Sequence, residues 1–295
     1  MRYMRDDLRQ EYQRLVGLYP DIEELQYPLM NVSDILRAYF ILVDYFSDPT
    51  APEQSESMLV GIRDMNLMIS AIGRQAASFG GKAKYTQPLE ICATLFFGLV
   101  KNHAFSDGNK RTALLTLLYQ LDCYGFRPLA TQKQFERLVV AVAANQLSEA
   151  YRKEWRHSNL KDATDRSVEI ITRLLKQMTK RKSGAFHLDI TARDFIQAFN
   201  EIPDCTCEVD GQKIKLRREV KKKIWFSRGS DNIKTFAIPF RGETRSIGAG
   251  TVREVLGALD LYDQYADYKG FFEGADPRYM LIQQFEGPLR RLKDK

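Results

Sequence analysis

The sequence predicts a mainly α-helical domain over residues 1 to 180, followed by a small basic α+β domain over residues 183 to 295. Three observations carry this prediction. Apolar residues recur at helical spacing from about residue 30 to residue 178. The chain turns basic and loses that pattern at Lys176 to Ser183, and short alternating stretches begin at Cys205. With 295 residues and 44% hydrophobic content, the chain can bury full cores and favours two modest domains over one.

Ser33 followed by Asp34 reads as a helix start ahead of Ile35 to Val43, a segment apolar on several sides and therefore expected in the core. Residues 57 to 79 continue the helical pattern. The run from Phe79 through Gly80, Gly81, Lys82, Ala83, Lys84 and Tyr85 to Pro88 breaks it. Its paired glycines, alternation and closing proline predict a turn or short hairpin, placed where it can lie over a cleft. Leu89 to Val100 is almost wholly apolar and predicts a central helix ending at His103. Ala113, Leu114, Leu117, Leu118 and Leu121 then fall at helical spacing, with Gly125 at the expected helix end. Two more helices run through Phe135 to Val142 and Val168 to Leu175.

The linker ends in Ser183-Gly184. Beyond it, a short helix from Thr191 through Phe195 and Phe199 precedes alternating stretches at residues 205–209, 213–216, 223–226 and 235–240. Gly250-Thr251 opens a last helix through Val255 and Leu259. The order helix, strands, helix is that of an α+β domain.

The net charge of +6 is mild for this length, which argues against a dedicated nucleic-acid coat. Cys92 and Cys123 lie in apolar helical contexts, and Cys205 and Cys207 form a C-x-C. This set fits neither the usual zinc spacing nor a secreted disulfide framework, so four reduced thiols in a cytoplasm are expected. The amino terminus lacks an apolar signal core and no stretch reaches the roughly 18 apolar residues of a membrane span. His157, His187, Trp155 and Trp225 read as packing or surface residues, and the tyrosine-rich run 262–268 as a helix face.

The chemistry concentrates in His103-Ala104-Phe105-Ser106-Asp107-Gly108-Asn109-Lys110-Arg111, between two apolar helices. Phosphoryl or nucleotidyl transfer needs a base for the attacking hydroxyl, a divalent cation on the phosphates, and fixed positive charge or amides for the oxygens. His103 is the candidate base, because imidazole titrates near neutral pH. Asp107 is the candidate ligand for magnesium. Gly108 permits close backbone approach, and the amides of Asn109 and Lys110 at the next helix start favour an anion. Arg111 can grip a phosphate with its fork and Lys110 adds a point charge. Phe105 is expected to plug the core beneath the loop.

In its ordered spacing the loop resembles the H-x-F-x-[D/E]-G-N-x-R motif of the Fic/Doc (Fido) family, matching every fixed position. Asn102, Thr112-Ala113, the Gly80 to Tyr85 segment and Ser33 to Phe46 also look like the family's surroundings, so the resemblance covers residues 30 to 145. It implies a helical bundle with a small hairpin flap and transfer of AMP from ATP–Mg²⁺ to a Ser, Thr or Tyr hydroxyl of a protein target. His103 would be the general base, Asp107 the magnesium ligand, and Gly108, Asn109, Lys110 and Arg111 the nucleotide-holding residues. Gly81, Lys82, Ala83, Lys84 and Tyr85 would be the flap that aligns the target by strand addition.

Two departures point toward the Doc branch: Lys110 replaces a glycine, and Leu114 stands where a further arginine is expected. A protein kinase or toxin that transfers the γ-phosphate is therefore the alternative, and a non-catalytic interaction protein another. A separate antitoxin or inhibitor protein fits the resemblance, and a homodimer stays open. The helix with [S/T]-x-x-x-E-[G/N] that silences some relatives is not matched. Glu273-Gly274 and Glu286-Gly287 carry Lys269 and Ile282 at the Ser/Thr position.

From Lys213 to Arg245 eleven basic residues face three acidic ones, interleaved with Trp225, Phe226, Phe236 and Phe240. This is compatible with RNA contact, while a solvated strand face over an aromatic core is the plainer reading. Arg228 to Asp231, Ala237-Ile238-Pro239 and Gly250 to Leu256 faintly resemble the HicA-like, double-stranded-RNA-binding-like fold, with Asp231 where that family carries its catalytic histidine.

Overall fold

The structure is a computed structural model that describes residues 4–25, 28–47, 58, 60–181, 190–200, 202, 204–220, 232–261 and 277–293. Two compact units divide the chain. One comprises residues 3–182 with 278–295, the other residues 183–277 with 1–2. The sequence reading had assigned all of 183–295 to the second unit. The last residues depart from that division because their apolar side chains, Tyr279, Ile282, Phe285, Leu289 and Leu292, are buried in the helical core.

The larger unit is mainly helical, with α1 (Asp6–Leu18), α2 (Val32–Phe46), α3 (Met65–Gly73), α4 (Pro88–Asn102), α5 (Asn109–Cys123) and α6 (Gln132–Ala143). Two short turns, α7 (Leu147–Ala150) and α8 (Arg152–Arg156), lead to α9 (Ala163–Met178), and the chain returns as α12 (Pro277–Gln284) and α13 (Glu286–Arg291). Helices α4 and α5 form the centre, as their apolar composition predicts. Almost every side chain of α5 is buried, and α4 packs on α3, α5, α6 and α9. Gly125 follows α5 with a positive φ of 76°, the left-handed turn that ends a helix cheaply only at glycine.

Three local expectations are corrected. Helix α2 begins earlier than Ser33. Asn31 caps it, its Oδ1 accepting from Val32 N at 3.0 Å while Asp34 accepts from Asn31 N in a capping box. Ser33 instead bonds Asp21. Helix does not run through 57–79 either. Gly61 to Asp64 is extended because its backbone is taken by the loop after α4, and α3 starts only where Asp64 caps Asn66 N at 2.8 Å. Finally, the described end of the basic stretch, Thr179 to Arg181, is not free chain. Thr179–Arg181 (β4) pairs antiparallel with Phe126–Pro128 (β3), which satisfies its backbone.

The predicted hairpin is present. Ser78–Phe79 (β1) and Lys82–Ala83 (β2) pair antiparallel around Gly80 and Gly81, whose positive φ values of 58° and 76° suit a tight two-residue turn.

The smaller unit contains α10 (Ala192–Asn200), an antiparallel sheet in the order β6 (Cys205–Asp210), β7 (Lys213–Val220), β8 (Asn232–Pro239), and α11 (Ala249–Ala258). Ile190–Thr191 (β5) pairs with Ser246–Ile247 (β9). Phe195, Phe199, Ile214, Leu216, Ile238, Val252, Val255, Leu256 and Leu259 form its core. The alternation of β7 turns Lys215 and Arg217 to solvent, where they pair with Asp210 at 2.5 Å and Glu219 at 3.0 Å. Phe236 and Phe240 pack against the core. The stretch 223–226, the run 262–268, His187, Trp225 and Asp231 lie outside the described residues. Cys205 and Cys207 are free thiols pushed up to about 11 by burial, and burial likewise raises Cys92, so these three stay protonated near neutral pH.

Candidate active site

The loop from His103 to Gly108 joins the end of α4 to the start of α5, and both of its ends have left-handed backbone. His103 is the C-cap of α4 with φ 50° and ψ 51°, a conformation that turns the chain out of the helix and leaves the residue exposed. Gly108 is the N-cap of α5 with φ 83°. A Cβ built on Gly108 would meet the Met58 methyl, the movable end of a flexible side chain, so it is chiefly the left-handed backbone that calls for glycine.

Between these ends, three contacts fix the loop. Asn109 bridges it, donating from Nδ2 to Phe105 O at 2.8 Å and accepting at Oδ1 from Phe105 N at 2.9 Å. Phe105 is buried, as expected, and stacks on Tyr39 with ring centroids 4.2 Å apart. The extended segment before α3 runs antiparallel beside the loop. Ser106 N donates to Gly61 O at 3.0 Å, and Arg63 N donates to Ala104 O at 2.8 Å. Tyr39 closes the bundle from beneath, its hydroxyl accepting from Gly61 N at 2.9 Å and donating to Gly61 O at 3.2 Å. Burial pushes the Tyr39 hydroxyl up to about 12, so it remains a neutral hydrogen-bonding group.

Asp107 is half-buried, and its Oδ1 accepts from Gly108 N at 2.6 Å. Among the described residues Oδ2 makes no hydrogen bond, and neither does the His103 ring. No group of three metal-capable side chains occurs among the described residues. One carboxylate with an unengaged oxygen suits magnesium, which is commonly held by one or two carboxylates together with substrate phosphates.

The two cations of the loop are engaged elsewhere. Arg111 is 1% exposed, donates from Nε to Leu289 O at 2.7 Å and from Nη2 to Arg290 O at 3.3 Å, and lies over the Phe46 ring at 4.7 Å. Lys110 donates from Nζ to Lys293 O at 2.6 Å. These partners come from the end of α13 and the residues after it, which the sequence reading placed in the other domain. The clue lay in the apolar spacing of Ile282, Phe285, Leu289 and Leu292.

The hairpin residues Gly81, Lys82, Ala83 and Lys84 are exposed and Tyr85 is half-buried against the core. Lys84 N donates to Ala77 O at 2.7 Å, and Lys84 Nζ pairs with Asp165 at 2.5 Å. Lys84 therefore ties the hairpin to α9 and leaves its outer residues open. A separate cleft of about 470 Å³ is walled by Tyr39, Gly61 to Asn66 and α1 residues including Glu11 and Arg14. None of His103 to Arg111 lines it.

The family model described as the Fic/DOC family matches residues 7–121, a span that ends within α5 and includes the whole loop. Residues 7–121 form a Fic/Doc domain. No curated protein and no solved structure matches the chain. The Fic/Doc match covers α1 to α5, so α6, α9 and the returning α12 and α13 lie beyond it in sequence while packing on the same core. No helix among the described residues is long and apolar enough to cross a membrane.

Proposed function

We propose that the Fic/Doc domain transfers AMP from ATP to a hydroxyl side chain of a protein target, with His103 as the general base. The observation that carries this reading is the six-residue loop itself, His103 to Gly108. It sets an exposed imidazole at one left-handed end and, at the other, a glycine N-cap from which α5 presents its first amides. A base and an anion-binding helix start are thus held a short, fixed distance apart by the Asn109 bridge.

In the proposed step the target oxygen attacks the α-phosphorus and its proton passes to His103. The bond from the α-phosphorus to the bridging oxygen of the β-phosphate breaks, and pyrophosphate leaves. Magnesium, when bound with the nucleotide, would neutralise phosphate charge, and Asp107 Oδ2 is the oxygen we assign to it. The outer residues of the hairpin offer backbone for an extended target segment, with a Ser, Thr or Tyr presented to His103.

A second reading, transfer of the γ-phosphate, is favoured by one observation. Lys110 carries a flexible cation where the AMP-transferring pattern has glycine, and Leu114 is fully buried apolar packing where that pattern has an arginine. The two readings separate cleanly by incubating the protein and a lysate with Mg²⁺ and ATP labelled at the α or the γ position. Protein label from the α position alone supports AMP transfer. Label from the γ position alone supports the kinase.

A further inference from the structure

The hairpin that offers backbone to a target is too small to hold its own position. Its strands have two residues each, its turn is Gly80-Gly81, and a two-stranded hairpin by itself is marginal in water. Its base is fixed on α4. Lys84 N donates to Ala77 O at 2.7 Å, and Glu90 Oε2 accepts from Thr86 N at 3.3 Å and from Gln87 N at 3.2 Å in the capping box that starts the helix. Among the described residues, the only ion pair that joins residues 78–85 to another element is Lys84 Nζ to Asp165 Oδ1 at 2.5 Å.

Asp165 belongs to α9, beyond the span 7–121 that the family model matches. The topology brings its end of α9 to the site. Helix α5 starts at the motif loop and runs away from it to β3, and β4, which follows α9, pairs with β3. The last turn of α9 therefore lies at the end of the bundle away from the loop. At 1.5 Å per residue its 16 residues extend about 24 Å along α4, which returns the first turn of α9 to the loop's end. There Asp162 caps the helix and accepts from Asp165 N at 2.8 Å, so the Asp165 backbone is fixed where its carboxylate meets Lys84. The hydrogen bond to Asp165 raises Lys84 above its ordinary value.

We propose that Asp165 is a positioning residue for the target: by holding Lys84 it sets where the hairpin presents its open backbone to His103. This rests on the reading that the hairpin receives an extended target segment for transfer. A general base must come within about 2.6–3.2 Å of the oxygen it serves, and a segment seated about 1 Å out of place loses that reach. Lys84 and Asp165 are 43% and 31% exposed, and a pair in that setting contributes little to global stability. Its loss is therefore to be read in target use and not in unfolding.

The test uses the full-length protein, α-labelled ATP–Mg²⁺ and a lysate as the source of acceptor, with His103-dependent label measured against lysate concentration. Asp165→Asn should raise the half-saturating lysate concentration about threefold or more while the saturating rate stays within about twofold of the parent. Asp165→Glu, which keeps the charge, should restore the parent value. The gap between parent and Asp165→Asn should narrow at high salt, which screens a half-exposed pair. Lys84→Met breaks the pair from the other side and should reproduce the effect, so it decides alone if Asp165→Asn does not fold. An unchanged half-saturating concentration in these variants, or a fall in the saturating rate alone, would overturn the proposal and leave the transfer reading intact. No His103-dependent label from the parent would overturn the transfer reading and the proposal with it.

Discussion

Arg111 donates from Nε to the main-chain oxygen of Leu289 at 2.7 Å, joining positions 178 residues apart in the sequence. The arginine expected to grip a phosphate is in this conformation a buried clasp for the end of the chain. Its charge is met by carbonyls and by the face of Phe46, so the motif loop and the tail are parts of one packed unit.

That packing predicts that the tail contributes substantially to the stability of the helical unit. Phe285 is 2% exposed and sits edge-on to Phe135. Phe285→Ala should lower unfolding free energy by about 3–5 kcal/mol, the range for emptying a buried aromatic site. Denaturant unfolding followed by hydrogen exchange in α5 and α6 checks this. A loss below about 1 kcal/mol would mean that the tail is only loosely seated.

Much of this arrangement was legible in the sequence. Helix α4, helix α5, the Gly125 turn, the hairpin at Gly80-Gly81 and the plugging role of Phe105 all follow from apolar spacing and from glycines where positive φ is needed. What was not legible depends on long-range partners. Asn31 outcompeted Ser33 as a cap because its side chain also ties down Ile22 and Leu25, a contact no local pattern displays. Gly61 to Asp64 falls within the stretch read as helical, yet its backbone is claimed by Ala104 and Ser106. That Arg111 donates to Leu289 O was not legible, because sequence spacing reports which cations are near a loop and not which carbonyls reach them from the other end of the chain.

Tyr39 should couple the loop's integrity to alkaline pH. Its hydroxyl titrates near 10 when unfolded and is pushed up to about 12 by burial. Its contribution is therefore complete below pH 10 and is lost as pH rises through 12. From that difference, about 3 kcal/mol of stability should disappear across the window. Tyr39→Phe should cost about 1–3 kcal/mol at neutral pH, because Gly61 N loses its partner, and should flatten the alkaline loss relative to the parent. Urea unfolding at pH 8, 10 and 11.5 measures both effects; parallel pH curves for parent and variant would contradict the assignment.

Gly108→Ala should be costly for two separable reasons. The left-handed φ of 83° adds about 1–2 kcal/mol for any residue with a Cβ, and the Met58 methyl must move away. Adding Met58→Ala should relieve the second part and not the first. Thermal unfolding of the single and double variants checks this, and a Gly108→Ala protein as stable as the parent would show that the N-cap geometry is relaxed in solution.

The central claim is that His103 acts on a target hydroxyl while the start of α5 holds a nucleotide. The most direct measurement compares the parent and His103→Ala for transfer of label from α-labelled ATP–Mg²⁺ onto protein, with ATP affinity measured alongside. Removing a general base should lower transfer by about 10²-fold or more and leave ATP affinity within about threefold, since His103 is exposed at the far end of the loop from the anion site. A His103→Ala protein that labels its target as fast as the parent would contradict the account.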